Sequence, residues 1–366
     1  MKLKHLSLLL ILLLGATSCI QDAPLNPEAD ILSISLPGNV AIGEPVFNQN
    51  SISIYVTQDA DISNIAPTIG ITEGATISPA SGTPENFTKS VAYTVTSQDK
   101  KNKRIYLVQL IKQNSFEYNF DYWEENTRYK YKTPVEIVND QIQRIWSTSN
   151  QGVSVYQQFP NADQYPVFPT EIAQSGKYAA KLVTKEGPGN IMNIQYIPIV
   201  SGSLFTGTMN LLNALKDPLK ATLFGQPYNE KKKPIRLTGY YNYKAGTGDY
   251  IGKDGNPKPG MKDSCAIYSV LYKTDDTVKS LDGTNIMTDP NIVAITKNPA
   301  HSSTVGDGFV QFDVEFEYRK EPDFDNETYK LAIILASSFY GDRYEGCIGS
   351  TLIVDNLSII TESNKE

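Results

Sequence analysis

The stretch Tyr329–Ile360, YKLAIILASSFYGDRYEGCIGSTLIVDNLSII, decides the fold class of the C-terminal half of the chain. It contains two apolar runs rich in β-branched residues, Leu331–Leu335 and Thr351–Ile360, on either side of a polar and aromatic loop. Runs of this length and composition, bounded by Ser, Gly and Asp, predict two strands that form the closing hairpin of a β-sandwich. The loop between them carries tyrosine, aspartate and arginine side chains that can contact a polar ligand.

Within the preceding run Phe309–Tyr318, the residues from Val310 onward alternate, with apolar residues at even positions and polar ones at odd positions. This period of two predicts a strand with one face in the core and one face in water. Similar runs recur from residue 114 onward, and they favour a large jelly-roll β-sandwich over residues 114–362. Only Asn210–Leu215 has a helical pattern, and the segment around Trp146 is expected to be a long loop.

Residues 28–113 contain six or seven short alternating runs separated by Gly, Pro and Ser, which predict an immunoglobulin-like sandwich. Only three of the 22 tyrosines and neither tryptophan lie in this part. We place the domain boundary at residues 113 and 114 because the composition changes there. The predicted fold class is therefore all-β, with an N-terminal immunoglobulin-like sandwich and a larger C-terminal jelly roll.

The first residues carry two lysines, the apolar run Leu6–Leu14 and the small residues Gly15–Ser18 before Cys19. The run is shorter than the roughly 20 residues that a membrane-spanning helix needs. This pattern resembles a bacterial lipoprotein signal peptide over residues 1–18, which implies that Cys19 is acylated and that residues 19–27 form a tether. The resemblance implies a lipid anchor in the outer membrane, with the protein at the cell surface. An ordinary secretory signal with an incidental cysteine is the alternative.

The chain has a formal net charge of -7, which argues against nucleic acid as a partner. Its one basic run, Lys231–Lys233, is expected to be a solvated loop. Cys265 and Cys347 either form a disulfide or remain two buried thiols. His301, the one histidine outside the signal peptide, is expected in an exposed loop without a nucleophile near it.

Several motifs carry a resemblance to one family: WSTSNQG, GSLFTG, FGQPY, GYYNY, SSFYGDRYEG and GSTLIVDN, in that order from Trp146 to Asn356. Together they resemble the putative carbohydrate metabolism domain of surface lipoproteins from gut bacteria. The resemblance implies a jelly roll similar to carbohydrate-binding modules, working in a polysaccharide-use system with outer-membrane glycan-uptake proteins as partners. It supplies no catalytic residues. The N-terminal domain resembles the immunoglobulin-like spacers of such lipoproteins.

Saccharides are bound by flat aromatic faces and by planar polar groups that reach their hydroxyls. On this basis we expect non-catalytic glycan binding at aromatic and polar residues of the loops and of one sheet face. The candidate residues are Trp146, Asn150, Arg236, Tyr240, Asn242, Tyr340, Asp342, Arg343 and Tyr344.

Two other functions stay open at this point. A glycoside hydrolase or polysaccharide lyase could use the carboxylates Asp313, Glu315 and Glu317, which share one strand face. A structural or adhesive surface protein would bind no sugar. No cofactor is expected apart from calcium, for which Asp121 and Asp355 are the candidate ligands because calcium prefers carboxylate oxygens.

Overall fold

The computed structural model describes residues 24–38, 40–41, 45–48, 50–57, 60–112, 116–138, 141–191, 195–211 and 217–362. The predicted signal peptide, Cys19 and most of the predicted helix at Asn210–Leu215 lie outside these residues. Over the described ranges, no helix combines the length and apolar character needed to cross a membrane.

The N-terminal domain is an immunoglobulin-like sandwich of two small sheets, as predicted. One sheet pairs β1 with β4, and the other has the order β2-β3-β7-β6-β5, with β3 and β7 parallel. Its core contains Ile52, Phe87, Tyr93 and Val108, all fully buried. The strands are β1 (Ile31–Ser35), β2 (Val46–Asn48), β3 (Ser51–Tyr55), β4 (Thr68–Ile71), β5 (Thr76–Ser78), β6 (Val91–Thr96) and β7 (Lys103–Ile111).

The C-terminal domain is also a β-sandwich, so the predicted all-β fold class is confirmed. Its first strands are β8 (Glu117–Tyr118), β9 (Trp123–Glu125), β10 (Lys132–Pro134), β11 (Glu136–Val138), β12 (Gln141–Gln143), β13 (Trp146–Thr148), β14 (Val167–Thr170), β15 (Ala179–Val183), β16 (Lys185–Ile191), β17 (Gln195–Val200) and β18 (Ser203–Met209). The rest are β19 (Thr222–Phe224), β20 (Gln226–Tyr228), β21 (Pro234–Lys244), β22 (Tyr250–Ile251), β23 (Cys265–Thr274), β24 (Ile292–Thr296), β25 (Ala300–His301), β26 (Val310–Tyr318), β27 (Thr328–Ala336), β28 (Gly346–Cys347) and β29 (Thr351–Thr361).

Ten of these strands form one continuous path, β13-β18-β27-β23-β24-β26-β21-β29-β15-β14, which folds into two layers. We call β13-β18-β27-β23-β24 the cavity sheet and β26-β21-β29-β15-β14 the polar sheet. The main core lies between them and includes Ile267 and Ile333 from the cavity sheet and Leu237 and Phe312 from the polar sheet.

The two sheets differ in their outer faces. In β26 the outward residues are exposed, as the alternation of Phe309–Tyr318 predicts. In β27 both faces are buried: Leu331, Ile333 and Leu335 enter the main core, while Ile334 and Ala336 pack in a second cluster on the outer face. This second cluster explains why Leu331–Leu335 is apolar without interruption.

The predicted closing hairpin is wrong, although both of its strands exist. β27 pairs with β18 and β23 in the cavity sheet, whereas β29 pairs with β21 and β15 in the polar sheet. The two strands lie in opposite layers because the 337–350 connection crosses the end of the sandwich. Its length and its three buried serines suit a crossing between layers better than a tight turn.

Two further sequence expectations are corrected. The segment after Trp146 contains a helix, α1 (Ser149–Tyr156), where a loop was expected. Its composition, with Gly152 and two valines, has weak helix propensity, and packing of Val153 against Tyr165 stabilises it. His301 belongs to β25, is half-buried, and packs edge-on against Tyr241, so it is not an exposed loop histidine.

Candidate functional site

A cavity of about 250 Å³ lies on the outer face of the cavity sheet. Strands β18, β23 and β27 form its floor, and α1 and the turn Gly283–Thr288 form its walls. The segment Ser337–Gly346, which we call the rim loop, runs along its mouth and contributes Phe339–Tyr344 to the lining. The cavity therefore lies where the chain crosses from one sheet to the other.

The rim loop brings four of the predicted site residues together: Tyr340, Asp342, Arg343 and Tyr344 all line the cavity. Tyr340 is 40% exposed and packs edge-on against Phe339, with ring centroids 4.9 Å apart. The Arg343 guanidinium lies over the Tyr340 ring itself, 5.1 Å from its centroid. This arrangement offers a ring and a planar hydrogen-bond donor side by side at the mouth.

Asp342 adds a carboxylate to the same rim. Its side chain reaches solvent, but the surrounding protein desolvates it, and this raises the pKa of Asp342 above its usual value. Arg343 opposes that rise, and Glu345 adds to it. Two residues after Asp342, Tyr344 has a left-handed backbone (φ 62°). This conformation costs a non-glycine residue about 1 to 3 kcal/mol, so the surrounding structure has to hold it in place.

A buried polar network holds the rim loop from below. Asp263 accepts hydrogen bonds from the hydroxyls of Ser338 (2.6 Å) and Ser350 (2.7 Å) and from the backbone N–H of Cys347 (2.8 Å) and Ser264 (2.9 Å). Burial raises the pKa of Asp263, and these donors oppose the rise. The carboxylate therefore ties both ends of the rim loop to the start of β23.

Hydroxyl groups extend this network toward the cavity sheet. Thr184 Oγ1 lies 2.7 Å from Ser337 Oγ and 2.6 Å from Ser338 Oγ, and Ser201 Oγ accepts a 3.0 Å hydrogen bond from the Ser338 backbone N–H. A Cβ atom at Gly341 would lie 2.2 Å from the Ser201 Cβ atom, so this position needs glycine. The loop is thus preorganised by contacts that do not involve its exposed side chains.

The floor of the cavity is apolar. Phe205, Phe224, Ile334 and Ala336 are buried members of the outer-face cluster and line the cavity. Tyr268 stands among them, 7% exposed, and burial raises the pKa of its hydroxyl. Sequence reasoning missed Tyr268, although the alternation of β23 places it on the same face as Ala266 and Tyr272.

Trp146 and Asn150 are not at the surface, so the prediction that they contact a ligand is wrong. Trp146 is 3% exposed, packs against Tyr118 and Phe120, and donates a 2.7 Å hydrogen bond to Glu136. The amide of Asn150 is fully buried and bonds both the N–H and the carbonyl of Val167. Both side chains support the core, and Ser149 of the same motif reaches the cavity instead.

Arg236, Tyr240 and Asn242 lie on β21 in the polar sheet, away from the cavity lining. Arg236 pairs with Asp313 (2.5 Å) and Glu315 (3.4 Å), and the Asn242 amide donates to the Gly308 carbonyl. Tyr240 is half-buried on the same face. The structure therefore divides the predicted site between two sheets.

The carboxylates suggested for hydrolysis share one exposed face of β26, as predicted. Lys297 donates a 2.9 Å hydrogen bond to Glu315, and together with Arg236 it lowers the pKa of Glu315. A general acid needs the opposite shift. Asp313, Glu315 and Glu317 are also absent from the described residues that line the cavity.

Asp121 and Asp355 both contact the turn at residues 174–178, where their carboxylates accept backbone N–H groups. Asp355 accepts the backbone N–H groups of Gln174 and Ser175, and Asp121 accepts those of Lys177 and Tyr178. Donors occupy the positions that a cation would take, so the predicted calcium site is not supported. Within the described ranges, no cluster of three or more His, Cys, Asp or Glu side chains could hold a metal.

Cys265 and Cys347 are two buried free thiols, one of the two alternatives that the sequence left open. Burial raises the pKa of each thiol, which keeps both protonated and unreactive.

Asp263 and Tyr156 are site residues that sequence analysis did not identify. Asp263 stands in the polar segment MKDSC before β23, and its sequence context gives no sign that it accepts four hydrogen bonds. Tyr156 lines the cavity from the end of α1, and its role depends on a helix that the sequence pattern does not predict.

Comparison with known proteins gives two family matches. Residues 119–360 match the family described as "Putative carbohydrate metabolism domain", and residues 31–110 match the one described as "SGBP, N-terminal". No curated protein matches the chain.

The solved structures that are similar to this chain include two from Bacteroides. A "putative glycoside hydrolase" from Bacteroides thetaiotaomicron VPI-5482 is 37% identical, with a TM-score of 0.83 over 94% of this chain and 99% of that one. A "putative glycoside hydrolase" from Bacteroides vulgatus ATCC 8482 is 27% identical, with a TM-score of 0.60 over 68% of this chain and 98% of that one.

Proposed function

The chain belongs to the "Putative carbohydrate metabolism domain" family, and from this premise we propose that it binds glycan at the rim-loop cavity without cleaving it. A carbohydrate-related role follows from the family and from the N-terminal match. The observation that carries the proposal is the convergence of Tyr340, Arg343 and Asp342 at the mouth of one cavity. A ring face with adjacent planar and charged hydrogen-bonding groups suits a saccharide.

Binding is favoured over hydrolysis by the composition of the lining. Among the described residues that line the cavity, Asp342 is the one carboxylate. Glycosidases of the common mechanisms use two carboxyl groups on opposite sides of the scissile bond, about 5 to 9.5 Å apart. The second group is missing from the described lining, so the site can hold a sugar but lacks the pair that cleaves it.

Hydrolysis is the second candidate, and one observation favours it. The pKa of Asp342 is raised, as a general acid requires, and Glu345 lies close enough to contribute to that rise. Two similar solved structures are each described as a "putative glycoside hydrolase". Formation of product therefore has to be measured alongside binding.

Location and partners complete the proposal. A cell-surface or secreted location agrees with the N-terminal family match. We further propose a lipid anchor at Cys19, an immunoglobulin-like spacer over residues 28–113, and outer-membrane glycan-uptake proteins as partners. A purely adhesive protein would leave the rim cavity without a saccharide ligand.

The test incubates the immobilised full chain with a panel of plant, microbial and host polysaccharides. We expect retention of at least one glycan with no new reducing ends or unsaturated products. Arg343→Ala should weaken that retention, whereas Arg128→Ala should not, because Arg128 stacks on Tyr129 in the same way (4.9 Å) outside the cavity. New reducing ends would support the hydrolase, and the absence of both retention and product would support the adhesive protein.

A further inference from the structure

The rim cavity has two chemically different zones, and the difference restricts what can enter it. The mouth carries Tyr340, Asp342 and Arg343, whereas the floor carries Phe205, Ile334 and Ala336. The hydroxyls of a bare sugar would find partners at the mouth but few on this floor. Burying a hydroxyl without a hydrogen-bond partner is unfavourable, so an unsubstituted sugar would leave the floor unfilled.

The polar groups nearest the floor are largely occupied. Ser149 accepts the backbone N–H of Ser203, and the hydroxyl of Thr284 donates to Asp282. The hydroxyl of Tyr272, which follows Tyr268 by four residues on β23, donates to the Phe224 carbonyl. Each of these three hydroxyls therefore already has a hydrogen-bond partner within the protein.

Tyr268 differs from these three groups. Its side chain is more than nine-tenths buried and lines the cavity, and among the described residues its hydroxyl has no hydrogen-bond partner. One donor on an apolar floor suits a group with one acceptor and an apolar end. An ester carbonyl with a short alkyl chain has this composition.

The size of the cavity agrees with such a group. Its volume of about 250 Å³ lies just below that of typical ligand pockets, which span roughly 300–1,000 Å³. It therefore accommodates a substituent or a chain end and is too small for an extended polysaccharide.

We propose that the ligand is an O-acylated saccharide, whose sugar contacts the rim loop and whose acyl group enters the floor and accepts a hydrogen bond from Tyr268. This inference rests on the proposed function and specifies its ligand. Burial of the acyl methyl group should raise the affinity about fourfold, and the hydrogen bond from Tyr268 should raise it by a further few-fold. Together they predict a preference of about tenfold for the acylated form.

The test compares acetylated glycans with the same preparations after mild alkaline deacetylation, by isothermal titration against the full chain. We expect the acetylated form to bind about tenfold more tightly. Tyr268→Phe should remove a few-fold of that preference without affecting the deacetylated form. The matched control is Tyr272→Phe on the same strand, which loses an internal hydrogen bond and should keep the preference.

Ala336→Leu provides a second, independent variant because it fills the floor and should abolish the preference while leaving the rim loop intact. Equal affinity for both forms in the wild-type chain would overturn this inference and leave glycan binding supported. Binding of neither form would overturn the proposed function itself. A preference that survives both Tyr268→Phe and Ala336→Leu would place the acyl group elsewhere and overturn the assignment to the floor.

Discussion

The two outer faces of the C-terminal sandwich are built by the same strand alternation but end in different surfaces. On the polar sheet, outward residues such as Arg236, Asp313 and Glu315 pair with each other and remain exposed. On the cavity sheet, outward residues such as Ile334 and Ala336 are apolar and are covered by α1 and the rim loop. A cavity forms where covering segments leave a gap over an apolar face, whereas the charges on the flat polar face already pair with each other.

The largest effect should come from the buried anchor of the rim loop. Asp263→Ala would leave the hydroxyls of Ser338 and Ser350 and two backbone N–H groups without their acceptor. We expect the free energy of unfolding to fall by about 3 to 5 kcal/mol in urea titrations. Asp313→Ala on the polar sheet is the control and should cost less than about 1 kcal/mol, because its ion pair is exposed. Equal losses would remove the contrast between the two faces.

A pH titration should separate buried from exposed carboxylates by the sign of their effect. Burial raises the pKa of Glu136 from 4.5 to about 7, so its contribution to stability is complete below pH 4.5 and is lost as the pH rises through 7. Glu136→Gln keeps an acceptor for Trp146 and removes the titration. The stability of the wild type relative to this variant should fall by about 3 kcal/mol between pH 4.5 and 7.5.

Glu315→Gln on the polar sheet should show the opposite slope. Lys297 and Arg236 lower the pKa of Glu315, so its contribution is present above its unfolded pKa and is lost as the pH falls. Parallel pH profiles for the wild type and Glu136→Gln would contradict the burial of Glu136.

Tyrosine substitutions test which face binds glycan. Tyr340→Ala should weaken binding roughly tenfold, equivalent to about 1 to 1.5 kcal/mol, through loss of a ring face at the cavity mouth. Its stability should hardly change because the ring is 40% exposed. Tyr240→Ala on the polar sheet should leave the affinity unchanged. The reverse order of effects, measured by titration with the retained glycan, would move the site to the polar sheet.

The smallest effect should come from the ion pairs of the polar sheet. Arg236→Ala should lower the free energy of unfolding by less than about 1 kcal/mol. Because the pair is exposed, the difference from the wild type should vanish at about 1 M salt. A loss of several kcal/mol that persists in salt would show that these charges stabilise the sheet more than their exposure suggests.

Sequence pattern predicts the strands better than it predicts their partners. The alternation of Phe309–Tyr318 gives both faces of β26 correctly because one face contacts water. The run Leu331–Leu335 is buried on both faces, so its sequence shows no alternation of apolar and polar residues. Without that alternation the sequence does not indicate which strand lies beside it, and the predicted hairpin is wrong. Tertiary contacts, not propensity, stabilise α1.

The site was only partly predictable for a related reason. Tyr340 and Arg343 are adjacent in one loop, so their proximity follows from the sequence itself. Trp146 has the flat aromatic ring that a sugar-binding site needs, but it is buried against Tyr118 and Phe120, more than 20 positions earlier in the chain. The role of Asp263 likewise depends on residues more than 70 positions away.

Hydrogen–deuterium exchange of the full chain, with and without the retained glycan, tests most directly that the cavity sheet holds the ligand. We predict slower exchange in the rim loop and in α1, with no change in β21 and β26. Protection confined to β21 and β26, with the rim loop unaffected, would contradict this account.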